Sequence, residues 1–245
     1  MTKARVTKTT KTTAALPSGR EKTVRVRAMF DLIAPRYDLV NRVISLGLDQ
    51  HWRSRALRAL KLAPGSRVLD VACGTGALGE IGARHGYRVV GTDLSAGMLA
   101  GRAGRFPATL GDAAALPFAT GSFDGVLCAY ALRNFTDLEA SLEEAARVTR
   151  PGGRISILEV ATPTHRALRA GHALWFRHVV PVIGALLSDP EAYRYLPDSV
   201  AYLPDERELA AMLRHAGFGA VDRLVLQGGL SQVLTGTRAS ARALR

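Results

Sequence analysis

From Arg67 onward, short apolar β-type runs alternate with helical stretches, and this alternation constrains the fold more than any other feature of the chain. Because parallel neighbours in a sheet need a long crossover connection, usually a helix, the pattern is typical of βαβ units. It predicts an α/β fold with a doubly wound sheet. The predicted strands are RVLDVA, YRVVGT, ATLGD, FDGVLCA, GRISILEV, AVDRLVL and SQVLTGTR.

Two segments stand outside this alternation: a helical region over about 24–60 and a stretch over about 163–204. Ligands of open α/β sheets lie beyond the carboxyl ends of the strands, so additions of this kind commonly cover the site. We therefore expect one domain over 23–240, with a cap at 24–60, a ligand-binding core at 65–160 and a lid at 163–204. The helices expected between the strands cover about 77–85, 96–102 and 138–150, with a later one at ELAAMLRHAGF.

The basic residues are concentrated near the N-terminus. Residues 1–28 hold eight basic residues and one acidic residue, so most of the formal net charge of +12 lies there. Residues 1–22 are rich in Lys and Thr and poor in large apolar groups, which predicts a disordered tail; contact with anionic lipid or nucleic acid is the alternative. Residues 241–245 are expected to form a second, short tail.

The lengths of the apolar runs and the spacing of the cysteines indicate the cellular compartment of the protein. No run approaches the roughly 18 apolar residues that a membrane span needs, and the N-terminus lacks the apolar block of a signal peptide. Cys73 and Cys128 lie far apart without metal-ligand spacing, so we expect both cysteines to be small buried residues. The histidines also lack ligand spacing, and we predict a cytoplasmic protein without a metal.

A glycine-rich loop follows the first predicted strand. Gly74, Gly76 and Gly79 match G-x-G-x-x-G, and Asp93 ends the second strand, where an acid that binds ribose belongs. This pattern alone would also suit a dinucleotide, or simply a tight turn between strand and helix. Asp93 could equally be the N-cap of the next helix.

Asp70, just before the loop, favours a different ligand. A carboxylate there would repel a pyrophosphate, yet it suits S-adenosylmethionine, which carries an ammonium and a sulfonium. The loop glycines would then allow close backbone approach, and Asp93 would accept hydrogen bonds from both ribose hydroxyls. Asp112 and Ala113, which end the third strand, could meet the adenine amino group. We predict a cofactor site formed by Asp70, Gly74, Thr75, Gly76, Asp93, Asp112 and Ala113.

Further motifs carry a family resemblance. Residues 65–160 resemble the class I S-adenosylmethionine-dependent methyltransferases, and residues 26–238 look like the ubiquinone and menaquinone C-methyltransferases of the UbiE/MenG type. The resemblance implies a Rossmann-like, mostly parallel seven-stranded sheet and transfer of a methyl group to a ring carbon of a lipophilic quinol. The motifs are Tyr37-Asp38-x-x-Asn41 with Ser45, Gly47 and Trp52; Leu132 to Asp137; Arg147-Val148 with Pro151-Gly152-Gly153 and Glu159; Tyr193 to Val200; and Ala216-Gly217-Phe218.

The substrate implied by this resemblance is demethylmenaquinol; a ubiquinone precursor, or another small phenol or polyketide, is the alternative. Asp49 and Ala129 depart from the family pattern, which usually has His and often Ser there. Two other hypotheses compete: a cofactor-binding subunit without catalysis, and a protein that acts on nucleic acid. Against the latter, Ala129-Tyr130-Ala131-Leu132 follows the fourth strand in place of an Asn-Pro-Pro-Tyr type site, so no nucleic acid is expected.

Three residues are the candidates for catalysis. Arg133 and Asn134 follow the fourth strand and could hold the quinol oxygen, and Tyr37 could complete that site from the N-terminal helix. The alternatives are a salt bridge to a surface acid for Arg133, a turn or cap for Asn134, and a packed aromatic with a satisfied hydroxyl for Tyr37. His51 is a poorer candidate base.

The apolar segment from His172 to Leu187 contains Pro181 and is too short to span a bilayer comfortably. It suits a lid over an isoprenoid tail or a shallow membrane contact, whereas a core helix interrupted at Pro181 is the alternative. Because Arg166, Arg169 and Arg177 lie beside it, we expect peripheral membrane association. The sequence leaves a homodimer open.

Overall fold

A seven-stranded sheet with the order β3-β2-β1-β4-β5-β7-β6 forms the centre of the protein. The computed structural model of the chain describes residues 19–102, 106–189 and 199–240. Strands β1 to β5 run parallel, and β7 pairs antiparallel with both β5 and β6. The strands are β1 (Arg67–Val71), β2 (Arg88–Asp93), β3 (Ala108–Leu110), β4 (Phe123–Ala129), β5 (Thr149–Val160), β6 (Phe218–Leu226) and β7 (Ser231–Arg238).

Helices cover both faces of this sheet, and three of them precede it as a cap. Strand order reverses between β1 and β4, which is the position where open α/β sheets bind ligands. The cap lies over the carboxyl ends of the strands there. The α-helices are α1 (Gly19–Ile33), α2 (Tyr37–Ile44), α3 (Leu48–Ala59), α4 (Ala77–Arg84), α5 (Ala96–Ala100), α6 (Leu138–Val148), α7 (Arg166–Leu174), α8 (Val180–Leu187) and α9 (Glu206–His215).

The predicted fold class and all seven strands are confirmed. Each strand lies within a few residues of its predicted run, because central parallel strands are buried on both faces and need nearly continuous apolar sequence. The largest difference is at β5, which begins at Thr149 since residues 149–153 continue as extended chain instead of ending the helix. Cys73 and Cys128 are free and buried, as expected.

The predicted start of the domain at residue 23 is wrong, because α1 begins at Gly19. Lys22 is only 4% exposed. Its ammonium donates to the carbonyl of Phe135 at 2.6 Å and lies 3.8 Å from the ring centroid of Tyr202, and burial lowers its pKa. A lysine assigned to the tail thus ties the cap to the core. Residues 1–18 and 241–245, the rest of the predicted tails, lie outside the described part of the chain.

The lid segment forms one continuous helix from Arg166 to Leu187, so the interruption at Pro181 that the core-helix alternative implied is wrong. Proline normally breaks a helix since it lacks an N–H and crowds the preceding turn. Here a wider π-type turn over Trp175–Val179 precedes it and accommodates the ring. This helix has 22 residues and is long and apolar enough, by length and composition, to cross a membrane; only 11% of its apolar 18-residue window is buried.

This low burial also rules out the alternative of a core helix. Across Arg166–Leu187 only Val180 and Gly184 are buried. The predicted lid extends to residue 204. It includes residues 190–198, which lie outside the described part of the chain. The short turn Val200–Tyr202 and helix α9 follow.

Asp31 of α1 docks the cap onto α5. Its Oδ1 accepts hydrogen bonds from the Ser95 hydroxyl at 2.5 Å and from the Gly97 N–H at 2.8 Å. The helices approach so closely that a Cβ on Gly97 would lie 2.8 Å from the Cα of Asp31. Around this contact, Ile33 and Val40 of the cap pack against Met98. Glycine at position 97 is therefore a requirement of cap docking.

Replacing Gly97 by Ala should loosen the cap. Overpacking of this kind costs about 1–3 kcal/mol, and here the displaced element is α1. Hydrogen exchange of the α1 amides should accelerate in Gly97→Ala while the amides of β1 and β4 keep their protection. Gly101→Ala is the matched control, since the Cβ there would meet nothing nearer than 3.6 Å. Equal protection of α1 in both variants would contradict this docking role.

Candidate active site

The loop after β1 is shaped by two glycines and one carboxylate. Gly74 and Gly76 have φ of +54° and +89°, a region that side chains disfavour. Asp93 accepts hydrogen bonds from the Gly74 N–H at 2.7 Å and the Ser95 N–H at 2.8 Å. Burial raises the pKa of Asp93, and these backbone donors oppose the shift. The N-cap of α5 is Ser95, whose hydroxyl accepts from the Met98 N–H, so the alternative assignment of Asp93 as that cap is wrong.

A cavity of about 100 Å³, called the smaller cavity below, lies between this loop and the cap. Typical ligand pockets measure roughly 300–1,000 Å³, and this one is small because α1 and α2 lie close above it. We therefore expect the cap to move outward when a ligand of ordinary size enters. Six predicted site residues line the smaller cavity: Tyr37, Gly74, Asp93, Asp112, Ala113 and Asn134.

Thr75 and Gly76, also predicted to bind the cofactor, do not line the smaller cavity. The Thr75 hydroxyl donates to Asp38 of α2 at 2.8 Å. This bond closes the cap over the tip of the loop, and it must break if Thr75 is to meet a ligand directly. The sequence pairs Tyr37 with Asp38 in one motif but gives no sign that the second residue bonds to the loop.

Asp70 lies behind the loop, is 1% exposed and lines neither this cavity nor the larger one described below. One of its carboxyl oxygens receives a backbone hydrogen bond from Gly79, whereas Oδ2 has no partner. Burial raises the pKa of Asp70 to about 7, although the charge of Arg53 opposes that shift. A buried carboxyl oxygen without a partner is costly, and a cationic ligand would satisfy it. A carboxylate at this position therefore fits the ammonium of S-adenosylmethionine better than a pyrophosphate.

A larger cavity of about 360 Å³ lies beside the first, between the cap, the lid helix and the ends of β4, β5 and β7. Most of its wall is apolar. Phe30, Tyr37 and Tyr130 line both cavities, so two bound molecules would meet at these three rings. The larger cavity is further lined by Ile44, Leu46, Leu48, Trp52, Leu168, Trp175, Phe176, Val180 and Leu230.

Arg133 lines the larger cavity and forms a buried ion pair with Glu159. Its Nε also donates to the Ser199 hydroxyl at 3.2 Å. The salt-bridge alternative thus holds, but with a fully buried acid at the end of β5 rather than a surface acid. Because Glu159 compensates the charge of Arg133, the guanidinium can present N–H donors to the cavity without a net charge.

The other two catalytic candidates occupy the boundary between the cavities. Asn134 ends the short turn Leu132–Asn134 and lines the smaller cavity. Tyr37 starts α2 and makes an edge contact with the ring of Phe30, with centroids 5.9 Å apart. Asn134 is therefore also a turn residue and Tyr37 also a packed aromatic, as the alternatives stated, and both residues line a cavity.

Sequence reasoning missed four side chains of the larger cavity. Asp49 and Arg53 of α3 form a buried pair 3.7 Å apart, a contact that their spacing of four residues could have indicated. Tyr130 has φ of +59° and its hydroxyl is hydrogen-bonded to Ser231 at 3.1 Å. His172 of the lid helix also lines the wall, and no local pattern marks it. Among the described residues, no three His, Cys, Asp or Glu side chains group as a metal site would require.

The comparisons with known proteins agree with this geometry. The model of the ubiE/COQ5 methyltransferase family matches residues 18–238. A demethylmenaquinone methyltransferase of Mycolicibacterium vanbaalenii is 43% identical, over 87% of this chain and 95% of its own. A ubiquinone/menaquinone biosynthesis C-methyltransferase UbiE of Geobacter sulfurreducens is 40% identical, over 89% and 90%.

Solved structures show the same fold at low sequence identity. A methyltransferase of Thermotoga maritima superposes with a TM-score of 0.61 at 19% identity, covering 87% of this chain and 99% of its own. A phosphoethanolamine N-methyltransferase of Haemonchus contortus, solved with S-adenosylhomocysteine, gives 0.62 at 15% identity over 92% of this chain and 61% of its own. At these identities the likeness concerns the fold alone.

The protonation state of the Asp70 carboxyl should make cofactor binding depend on pH. With a pKa of about 7, the carboxyl is largely protonated below neutrality, and only its ionised form attracts an ammonium. The Kd of S-adenosylmethionine should therefore rise as the pH falls from 8 to 6, by up to about tenfold per unit. Calorimetry in two buffers of different ionisation enthalpy should detect proton release on binding. Asp70→Asn should bind weakly and without this dependence; the same pH dependence in Asp70→Asn would refute the assignment.

Proposed function

The chain belongs to the ubiE/COQ5 methyltransferase family, and we propose that it methylates a ring carbon of a polyprenylated hydroquinone. Demethylmenaquinol is the proposed substrate and menaquinol the product, with S-adenosylmethionine as methyl donor. Relatives that are 43–45% identical and named demethylmenaquinone methyltransferase support this choice. C-methylation of a ubiquinone precursor is the second candidate, since relatives at 39–41% identity carry the joint ubiquinone/menaquinone name.

The observation that carries the proposal is the common wall of the two cavities. Methyl transfer to carbon requires the attacking carbon in line with the methyl–sulfur bond, so both molecules must be held edge to edge. The larger cavity is apolar enough for a naphthalene-type ring and the first part of an isoprenoid tail. Phe30, Tyr37 and Tyr130 stand where the two molecules would touch.

S-adenosylmethionine supplies an electrophilic methyl group, so the protein has little covalent chemistry to perform. Its residues orient the quinol, stabilise the developing phenolate and keep water away. We assign Arg133 and Tyr37 to the quinol oxygen, as donors on the wall of the larger cavity, and Asn134 to the boundary with the smaller one. Asp70, Asp93 and Asp112 are assigned to the ammonium, ribose and adenine of the methyl donor, as the family resemblance implies.

The enzyme should act at the cytoplasmic surface of a membrane, because a polyprenylated quinol resides in the bilayer. The lid helix exposes Leu174, Val182 and Leu186, which are 62%, 58% and 77% accessible. Arg166, Arg169 and Arg177 are exposed on the same helix and complement anionic headgroups. Other residues of this helix line the larger cavity, so bilayer contact would place the cavity near the lipid. We propose peripheral attachment to anionic phospholipid through this helix.

A substrate panel tests the proposed reaction. The enzyme should turn over demethylmenaquinol with S-adenosylmethionine and prefer it to a demethylated ubiquinol precursor and to simple phenols. Tyr37→Phe should lower kcat about 10- to 100-fold, since one donor to the developing phenolate is lost. Tyr87→Phe is the matched control, because that hydroxyl bonds to the carbonyl of Leu62, away from both cavities. Cofactor binding without turnover of any quinol would reject the proposed reaction, and the absence of turnover with the simple phenols as well would favour the idle-subunit hypothesis.

Sedimentation with vesicles tests the membrane contact. The wild-type enzyme should pellet with phosphatidylglycerol vesicles at low salt and be released as salt screens the arginines. The double variant Leu174→Glu, Leu186→Glu should remain in the supernatant because acidic side chains oppose both insertion and headgroup attraction. Val225→Glu, at an exposed position of β6, should pellet like the wild type. A wild-type enzyme that stays in solution, or a double variant that still pellets, would contradict this attachment.

A further inference from the structure

His172, on helix α7, occupies a polar position in the apolar wall of the larger cavity. Its imidazole packs against the ring of Phe176, with centroids 4.5 Å apart. The Nε2 atom is buried and has no hydrogen-bond partner among the described residues. A buried polar atom of this kind calls for an explanation, and a ligand bound in the larger cavity, which His172 lines, would supply the partner.

Burial lowers the pKa of His172 below its ordinary value, and within the described part of the chain no charged neighbour counteracts this effect. The imidazole is therefore neutral near pH 7. A neutral imidazole has one nitrogen that accepts a hydrogen bond or a proton. Imidazole is also the side chain that proteins most often use as a general base.

Among the described residues, five other charged or titratable side chains share this wall, and none of these five is equally suited to accept a proton. Arg53 and Arg133 have no acceptor. Asp49 already accepts hydrogen bonds from Ser45 at 3.1 Å and Gln50 at 3.0 Å and faces Arg53. The remaining two are phenols, the same kind of acid as the substrate. The five side chains are Tyr37, Asp49, Arg53, Tyr130 and Arg133.

Resting on the proposed function, we propose that Nε2 of His172 accepts the hydroxyl proton of the bound quinol. The electron pair of the breaking O–H bond moves into the ring and makes the adjacent unsubstituted carbon nucleophilic. That carbon forms the new bond to the methyl group, while the pair of the methyl–sulfur bond stays on sulfur and leaves a neutral thioether. The methylated carbon then loses its hydrogen as a proton, the oxygen regains one, and a single proton is released overall.

The position of His172 on the lid helix links this step to closure of the site. Three residues along, Trp175 donates from its indole N–H to the carbonyl of Ile44 in α2 at 3.2 Å. The lid helix and the cap are thus joined beside His172. The proton acceptor is in place only when the lid covers the quinol, which keeps water away from the phenolate.

Variants at two histidines of the lid helix test the proposal. We suggest measuring His172→Ala, His172→Gln and His178→Ala with excess S-adenosylmethionine and a demethylmenaquinol analogue bearing one prenyl unit, which avoids any need for a membrane. His178 is exposed on the same helix and serves as the control. His172→Ala should lower kcat about 100-fold or more. His172→Gln can accept a hydrogen bond but no proton, so it should retain the wild-type KM more closely than the wild-type kcat.

The pH profile separates proton transfer from a merely structural role. The wild-type kcat should fall as the pH drops through the depressed pKa of His172. His172→Gln should lack this acid limb, and His178→Ala should keep it. If the His172→Ala protein does not fold, the kcat and the pH profile of His172→Gln test the proposal.

Two sets of outcomes overturn different statements. Failure of the wild-type enzyme to methylate any quinol would reject the proposed function. An active wild type with His172→Gln within about threefold of its kcat, or with the acid limb intact in that variant, would reject the role of His172 alone. Binding of S-adenosylmethionine, which takes the smaller cavity, should be equal in all four proteins.

Discussion

The hydrogen bonds that Asp31 accepts from Ser95 and Gly97 hold the cap on the sheet, and both cavities depend on that contact. Phe30 and Tyr37, which form most of the common wall, belong to the cap and not to the sheet. The sheet alone would leave the cofactor loop and Asp93 facing solvent. Because the cap also bonds to Thr75 through Asp38, we expect cofactor entry and closure of the substrate wall to be coupled.

The buried basic side chains of the site are compensated by neighbouring acids. Arg133 pairs with Glu159, and Arg53 pairs with Asp49, so neither pair adds a large net charge to the apolar cavity. Among the described residues Asp70 forms no such ion pair; its Oδ2 has no hydrogen-bond partner, and burial raises its pKa to about 7. An unpaired buried carboxyl behind the glycine loop suits a cationic ligand, and this distinguishes the site from a dinucleotide site of the same sequence pattern.

Much of the fold could be predicted because β1, β4 and β5 are buried on both faces and require apolar runs that are visible in the sequence. Long-range contacts account for most of what could not be predicted. In the sequence Lys22 resembles a tail residue, because its contacts with the carbonyl of Phe135 and the ring of Tyr202 are with residues far along the chain. Pro181 looks like a helix end because a π-type turn has no clear sequence signal. The partner of Arg133 lies 26 residues away on another strand, beyond any local pattern.

The position of the transferred methyl group tests most directly whether the two cavities present a ring carbon to the methyl donor. Demethylmenaquinol would be incubated with the enzyme and S-adenosylmethionine carrying a ¹³C-labelled methyl group, and the product examined by NMR. A labelled methyl bonded to the open ring carbon beside the isoprenoid chain is the expected product. Label on a quinol oxygen, or an unlabelled quinol despite bound cofactor, would contradict the arrangement of the two cavities described above.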